Sequence, residues 1–129
     1  MSVAVEPRAL TVLERSIVDR ILQVDFSGVA ELRRQLDLVR VVARWAVDSV
    51  SVDLQVVGHP PRSPVQPGVA PVECLVKSDG GQFVGEILLW TEFGMLAALE
   101  YAWYGDEPPA SLPKAGQLVT RSQQQLLRG

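Results

Sequence analysis

The chain lacks most of the residues and motifs that usually carry chemistry. Its 129 residues include one cysteine and one histidine, which excludes an internal disulfide and a Cys-rich zinc site. No apolar run approaches the roughly 18 residues that span a bilayer. The first ten residues contain Glu6 and Arg8 and have no apolar signal core. We therefore expect a cytoplasmic protein that makes no membrane contact.

Positive charge is also scarce. Twelve Lys and Arg residues stand against fifteen Asp and Glu, which gives a net charge of −3 and a pI of about 5.1. The tightest basic cluster is Arg33 and Arg34, with Arg40 and Arg44 nearby, and this is too little to follow a phosphate backbone. The chain also has no glycine-rich phosphate loop and no Gly-x-Ser-x-Gly elbow. These absences argue against nucleic-acid binding, nucleotide binding and serine-hydrolase chemistry.

The most informative pattern is a predicted hairpin around Asp79 and Gly80. The runs at 72–77 and 83–90 both alternate with a period of two. Asp-Gly between such runs predicts a type I′ turn, because both central residues need positive φ. A weaker hairpin is predicted from the runs at 39–46 and 50–56, which reverse at Asp48.

Two helices are predicted ahead of the strands. Thr11 and Glu14 form a capping-box pattern, and apolar residues at helical spacing follow to about residue 23. Ser27 is the predicted N-cap of a second, shorter helix.

The rest of the chain completes an α+β domain. Five prolines in 58–71 predict an extended loop, and a fifth strand is predicted over 95–104. We therefore expect two N-terminal helices packed on one face of a five-stranded antiparallel meander sheet. Residues 1–10 are predicted to be a flexible lead-in, 11–113 the single domain and 114–129 a polar, disordered tail that has room for a short helix.

The titratable residues offer few candidates for catalysis. His59 lies in the proline-rich loop and Cys74 in a strand, so a surface histidine and a buried thiol are the expected states. Four strand carboxylates alternate with apolar residues and are expected on a solvated sheet face: Asp53, Glu73, Glu86 and Glu100. Glu100 has aromatic neighbours, which makes it the candidate pocket carboxylate, although pairing with Arg40 or Arg44 is the favoured interpretation. No catalytic residue, metal ligand or cofactor is predicted.

The end of the fifth strand is the candidate partner-binding segment. It reads YAWYGDEPP over 101–109, and aromatic residues are enriched at interface hot spots. An adjacent acidic pair steers a basic partner. The alternative is that the aromatic residues fill the core and the acids form a solvated turn. The candidate residues are Tyr101, Trp103, Tyr104, Asp106 and Glu107.

The chain resembles a group of small proteins from high-GC bacteria, mostly actinobacteria, that has no assigned activity. The resemblance spans about 10–118 and rests on VDFSGVAELR at 24–33, VDL at 52–54, LEYAWYGDEPP at 99–109 and the Leu112–Pro113 pair. It implies the α+β fold and supplies no catalytic residues. Some members carry a Cys-rich stretch where this chain has 44–49, so a metal or thiol role there would be absent here. A looser analogy is to immunity proteins of bacterial polymorphic toxins.

Our leading hypothesis from the sequence is a non-enzymatic protein-interaction domain, of the kind an immunity-like inhibitor uses against a basic partner. The alternative is a small-ligand module or an enzyme whose carboxylates line a pocket between sheet and helices. Homo-oligomerisation through a strand edge or the open sheet face is compatible with either.

Overall fold

An eight-stranded antiparallel sheet carries two short helices on one face in the computed structural model, which describes residues 2–123. The helices are α1 (Val12–Leu22) and α2 (Val29–Gln35). The strands are β1 (Val3–Ala9), β2 (Val39–Arg44), β3 (Val52–Val56), β4 (Gly68–Val69), β5 (Val72–Lys77), β6 (Phe83–Glu92), β7 (Met95–Trp103) and β8 (Leu118–Ser122). Their order across the sheet is β1-β2-β3-β7-β6-β5-β8, with β4 paired to the far end of β6.

The predicted capping box at the start of α1 is confirmed. The backbone N–H of Glu14 donates to the Thr11 hydroxyl at 3.0 Å, and the N–H of Thr11 donates to the Glu14 carboxylate at 2.8 Å. The predicted cap of α2 is wrong, because Gly28 occupies the cap position with φ 93° and no side chain caps the helix. Among the described residues, no helix is long and apolar enough to cross a membrane.

The hairpins fall where the sequence predicts them, but one turn differs. At the β5–β6 reversal only Gly81 has positive φ (82°), and the Ser78 N–H donates to the Gln82 carbonyl at 2.8 Å. This is a three-residue loop that ends in a left-handed glycine, so the predicted type I′ turn is wrong there. Two successive positive φ values occur instead at Phe93 and Gly94, between β6 and β7.

The sheet is larger than the predicted five-stranded meander. Residues assigned to a lead-in form β1, which pairs with β2, and part of the predicted tail forms β8, which pairs with β5. Each has a reason to bind the sheet, since Val5 packs against the core and Leu118 is buried within it. Because β3 lies beside β7, the order is not a simple meander. The remainder of the predicted tail, 124–129, lies outside the described residues.

Alternation along the strands separates two faces of the sheet. One face packs against α1 and α2 and contributes most of the hydrophobic core, for example Val41 and Leu54, Cys74 and Val76, or Ile87 and Leu89. The other face carries no helix in the part of the chain that the structure describes, and we call it the open face. Functional groups on the strands therefore depend on which face they occupy.

Candidate functional site

Three large aromatic side chains are exposed together where β6 begins and β7 ends. Phe83 is 48% exposed, Trp103 is 42% exposed and Tyr104 is 59% exposed. Strand pairing holds them in place, since Trp103 lies opposite Gly85 and the Tyr104 N–H donates to the Val84 carbonyl at 3.0 Å. We call these three residues, with Asp106 and Glu107, the aromatic corner.

Tyr101 does not belong to this exposed group. It is 7% exposed and packs within the hydrophobic core, and burial raises the pKa of its hydroxyl. Its ring lies over Gly85, where an added Cβ would approach the Tyr101 Cε1 atom to 2.7 Å. The structure thus places one of the five predicted partner-binding residues in the core and leaves four at the surface.

The acidic half of the aromatic corner is solvated and unpaired. Asp106 and Glu107 are exposed, and neither makes an ion pair or a side-chain hydrogen bond with another described residue. Because no cation within residues 2–123 pairs with them, their charge is available to an incoming group.

Trp103 stands between two surface hollows. Phe83, Tyr104, Glu107 and Pro109 line one of about 440 Å³ together with it. The other, of about 360 Å³, extends from Trp103 to the β2–β3 turn at 46–50. A protruding aromatic ring flanked by concave surface is a geometry in which a partner side chain can be buried on either side of it.

One cation already touches this surface. The Lys77 ammonium lies 5.4 Å from the centroid of the Phe83 ring, within the range of a cation–π contact. Lys77 lies opposite Phe83 on β5, so the aromatic corner is bordered by one positive charge and carries two negative charges. Phe83 is a member that the sequence argument missed, since its place in the same hollow as Trp103 depends on the β6–β7 register.

Glu100 lies on the open face and pairs differently from the prediction. The indole N–H of Trp90 donates to its carboxylate at 3.0 Å. The predicted pairing with Arg40 or Arg44 is wrong. Arg40 donates to the Val39 carbonyl, and Arg44 lies opposite the buried Val52 on the helix side of the sheet.

The other three strand carboxylates share the open face. Asp53 accepts hydrogen bonds from Ser2 and Trp45, Glu73 pairs with Arg121 at 2.8 Å, and Glu86 lies opposite Leu75. All four acids therefore point away from the helices. The ligand-binding alternative requires carboxylates that line a pocket between the sheet and the helices. These four carboxylates do not lie in such a pocket.

Cys74 is buried and His59 is exposed, as the sequence predicts. Cys74 is 1% exposed, and burial raises the pKa of its thiol to about 12, so a thiolate nucleophile is absent near neutral pH. His59 is exposed on the loop before β4. Within residues 2–123, no group of three His, Cys, Asp or Glu side chains could hold a metal ion.

Two β-bulges change which side chains reach the open face. Val41 pairs with Leu54 but Ala43 with Asp53, so β2 contains one extra residue, Val42. The bulge reverses the alternation. Strict alternation from Val39 and Val41 would place Trp45 toward the helices, yet its indole reaches Asp53 on the open face.

The second bulge lies in β7. Trp90 pairs with Ala98 and Thr91 with Leu96, which leaves Ala97 as the extra residue. Neither bulge has a sequence signal, because Val42 and Ala97 both lie within apolar runs without glycine.

In comparisons with known proteins, no family model, curated protein or solved structure matches this chain.

Proposed function

We propose that this chain is a non-enzymatic interaction domain that binds a basic protein partner through the aromatic corner. The observation that carries the proposal is the joint exposure of Phe83, Trp103 and Tyr104 beside two unpaired carboxylates. Single exposed apolar residues are ordinary on protein surfaces, whereas a contiguous exposed group bordered by polar residues is typical of an interaction site.

The aromatic side chains would supply the binding energy. A Trp or Tyr ring covers a large area at a small cost in side-chain entropy, which is why these residues dominate hot spots. Trp103 has a hollow on each side, so a partner that fills both would bury most of the ring. Truncation of this residue should therefore weaken binding more than any other change at the aromatic corner.

The acids would supply orientation and speed of association. Asp106 and Glu107 are part of a net charge of −3. Exposed charges of one sign raise the association rate of an oppositely charged partner. This contribution is screened by salt over about 8 Å at physiological ionic strength. Binding should therefore weaken as the salt concentration rises.

An inhibitor of the immunity type fits this division of roles. Such a protein covers a basic site on its target with an acidic surface, and it needs a rigid platform more than a catalytic group. Phe83 and Trp103 lie on paired strands and the Tyr104 N–H is bonded to the Val84 carbonyl, which limits the ordering cost of association for the three rings. The open face and the sheet edges remain available for self-association.

The test is affinity purification of partners from a lysate of the source organism at low and high salt. The wild type is compared with Trp103→Ala and with Asp106→Lys by quantitative mass spectrometry. We expect one basic protein to be retained by the wild type, to be lost with Trp103→Ala, and to be reduced with Asp106→Lys and at high salt.

Two matched variants remove similar groups elsewhere. Phe93→Ala deletes an aromatic side chain that is 71% exposed on the β6–β7 turn, and Glu6→Lys reverses an exposed charge on β1. Both should retain the partner. The proposal fails if no basic protein is recovered at low salt, or if the two control variants lose it as readily as Trp103→Ala.

A further inference from the structure

A groove on the open face lies between two tryptophans. Trp45, after β2, and Trp90, on β6, both line it, and the small side chains of Ala97 and Ala98 lie between them. Its volume is about 550 Å³, within the range of small-molecule sites. It lies apart from the aromatic corner, because no residue lines both.

The row of paired residues explains why a depression forms here. Asp53 of β3 lies opposite Ala98 of β7, and Ala98 lies opposite Trp90 of β6. A small side chain between two larger neighbours leaves a gap, since cross-strand neighbours are only about 5 Å apart. The β2 bulge brings Trp45 to the same face, and together these residues enclose the groove.

Both indole rings are held by hydrogen bonds to carboxylates. The Trp45 N–H donates to Asp53 Oδ1 at 3.0 Å, and the Trp90 N–H donates to Glu100 Oε1 at 3.0 Å. These bonds fix the edges of the rings, so little side-chain freedom remains to be lost when a ligand binds.

The charge around the groove is negative. Its lining includes Asp53 and Glu92 and no Lys, Arg or His. Neither acid forms an ion pair with a described residue, and Glu100 accepts its bond from a neutral indole. Aromatic rings beside uncompensated carboxylates are the surroundings that favour an organic cation.

The hydrogen bonds further restrict the kind of cation. Asp53 Oδ2 accepts from the Ser2 hydroxyl at 2.8 Å, so both oxygens of this carboxylate already have a neutral donor. Two of the roughly four acceptor positions of the Asp53 carboxylate are therefore filled, which favours a cation that needs no directed hydrogen bond from it. An ammonium whose N–H groups are replaced by methyl groups needs no such bonds and can lie against the rings.

We propose that the groove between Trp45 and Trp90 binds a small ligand that carries an alkylated ammonium group. The two rings and the nearby carboxylates stabilise its charge, and the alanine floor accommodates its methyl groups. This inference is independent of the partner proposed for the aromatic corner.

The test is a titration of the full chain followed by the indole N–H signals in two-dimensional NMR. The probe is choline, and the matched neutral compound is 3,3-dimethylbutan-1-ol, which has the same shape without the charge. We expect choline to shift the Trp45 and Trp90 signals saturably and to leave Trp103 unmoved. The alcohol should bind at least about tenfold more weakly, as loss of the cation–π and charge contributions implies.

Variants test the named residues. Asp53→Asn keeps an oxygen that can accept the Trp45 N–H and removes the charge, so choline affinity should fall about tenfold. Trp90→Phe should weaken binding to a similar extent. Phe93→Ala, which removes an exposed aromatic ring that does not line the groove, should leave choline binding unchanged. Because the choline titration needs no protein partner, failure of this proposal is distinguishable from failure of the interaction function.

Three results would overturn the proposal. The first is the absence of saturable shifts up to about 50 mM choline, where a millimolar site would be filled. The second is equal binding of the neutral alcohol, because charge would then play no part. The third is tighter binding of arginine ethyl ester than of choline, which would assign the groove to a hydrogen-bonding cation instead.

Discussion

Gly94 and Ser63 lie in direct backbone contact between the β6–β7 turn and the proline-rich loop. The Ser63 N–H donates to the Gly94 carbonyl at 2.9 Å, and a Cβ at position 94 would lie 2.6 Å from the Ser63 carbonyl oxygen. The contact requires both the absence of a side chain and the left-handed φ of 75°. The contact holds Ser63, which the sequence assigns to a solvated loop, against the β6–β7 turn.

Gly94→Ala should therefore be more destabilising than an ordinary glycine substitution. We expect a loss of about 3 kcal/mol or more in the free energy of unfolding, since steric overlap adds to the cost of left-handed backbone. Urea denaturation followed by circular dichroism measures this loss. Gly81→Ala is the matched control, because Gly81 has φ 82° but open space around it, and it should cost about 1 kcal/mol. Equal costs for the two variants would show that the contact with Ser63 does not constrain the fold.

Gln35 makes a second connection to the same turn. Its side chain is fully buried, accepts a hydrogen bond from the Leu96 N–H at 3.0 Å, and donates to the carbonyls of Pro61 and Gly94 at 3.0 and 2.8 Å. Gln35→Leu fills a similar volume but leaves the Leu96 donor and the Pro61 acceptor without partners. Each orphaned group costs about 1–3 kcal/mol, so we expect a loss of about 3 kcal/mol in urea denaturation.

The control for this substitution is Gln55→Leu, on an exposed position of β3, which should change stability by less than about 0.5 kcal/mol. If Gln35→Leu behaves like Gln55→Leu, the buried hydrogen bonds contribute little to stability and the apolar packing of α2 dominates.

The single thiol should be unreactive in the folded protein. With its pKa raised to about 12 by burial, the Cys74 thiol carries only about one part in ten thousand of thiolate at pH 8. Ellman's reagent should therefore release no colour from the native protein over minutes and one equivalent rapidly in urea. Rapid release without denaturant would mean that β5 opens locally or that the thiol is accessible.

Local patterns in the sequence predicted α1, α2 and the paired strands correctly because each depends on neighbours along the chain. The Thr11–Glu14 box and the alternation on both sides of Asp79 are of this kind. Strands β1 and β8 were missed, since their pairing with β2 and β5 depends on partners more than 30 residues away and such short segments give little periodic signal.

The candidate sites divide in the same way. For Trp103 the sequence left open whether the ring is exposed or fills the core, and the structure exposes it. Trp45 lies on the open face because of the one-residue bulge in β2, and Tyr101 is buried because it lies opposite Ile87 on the helix side of the sheet. A single inserted residue reverses every later side chain of a strand, and no composition rule identifies such a residue within an apolar run.

Glu14 should make the stability of the fold depend on acid. Burial alone would raise the pKa of this carboxyl, but the Arg8 guanidinium and the Thr11 N–H donate to it and hold the pKa below its usual range. A lowered pKa in the folded state stabilises the fold fully above the unfolded value of about 4.3. That stabilisation is lost as the pH falls through the folded pKa.

Glu14→Gln keeps the cap acceptor but removes the charge, so it should cost about 1–2 kcal/mol at pH 7 and progressively less toward pH 3. Urea denaturation at intervals of pH measures the difference between the two proteins. Arg8→Gln should also reduce the fall in the free energy of unfolding between pH 7 and pH 3, because it removes the cation that lowers the Glu14 pKa. If the curves of the wild type and Glu14→Gln stay parallel from pH 7 to pH 3, the carboxyl is not held ionised by Arg8, and the contact between β1 and α1 contributes no pH-dependent stability.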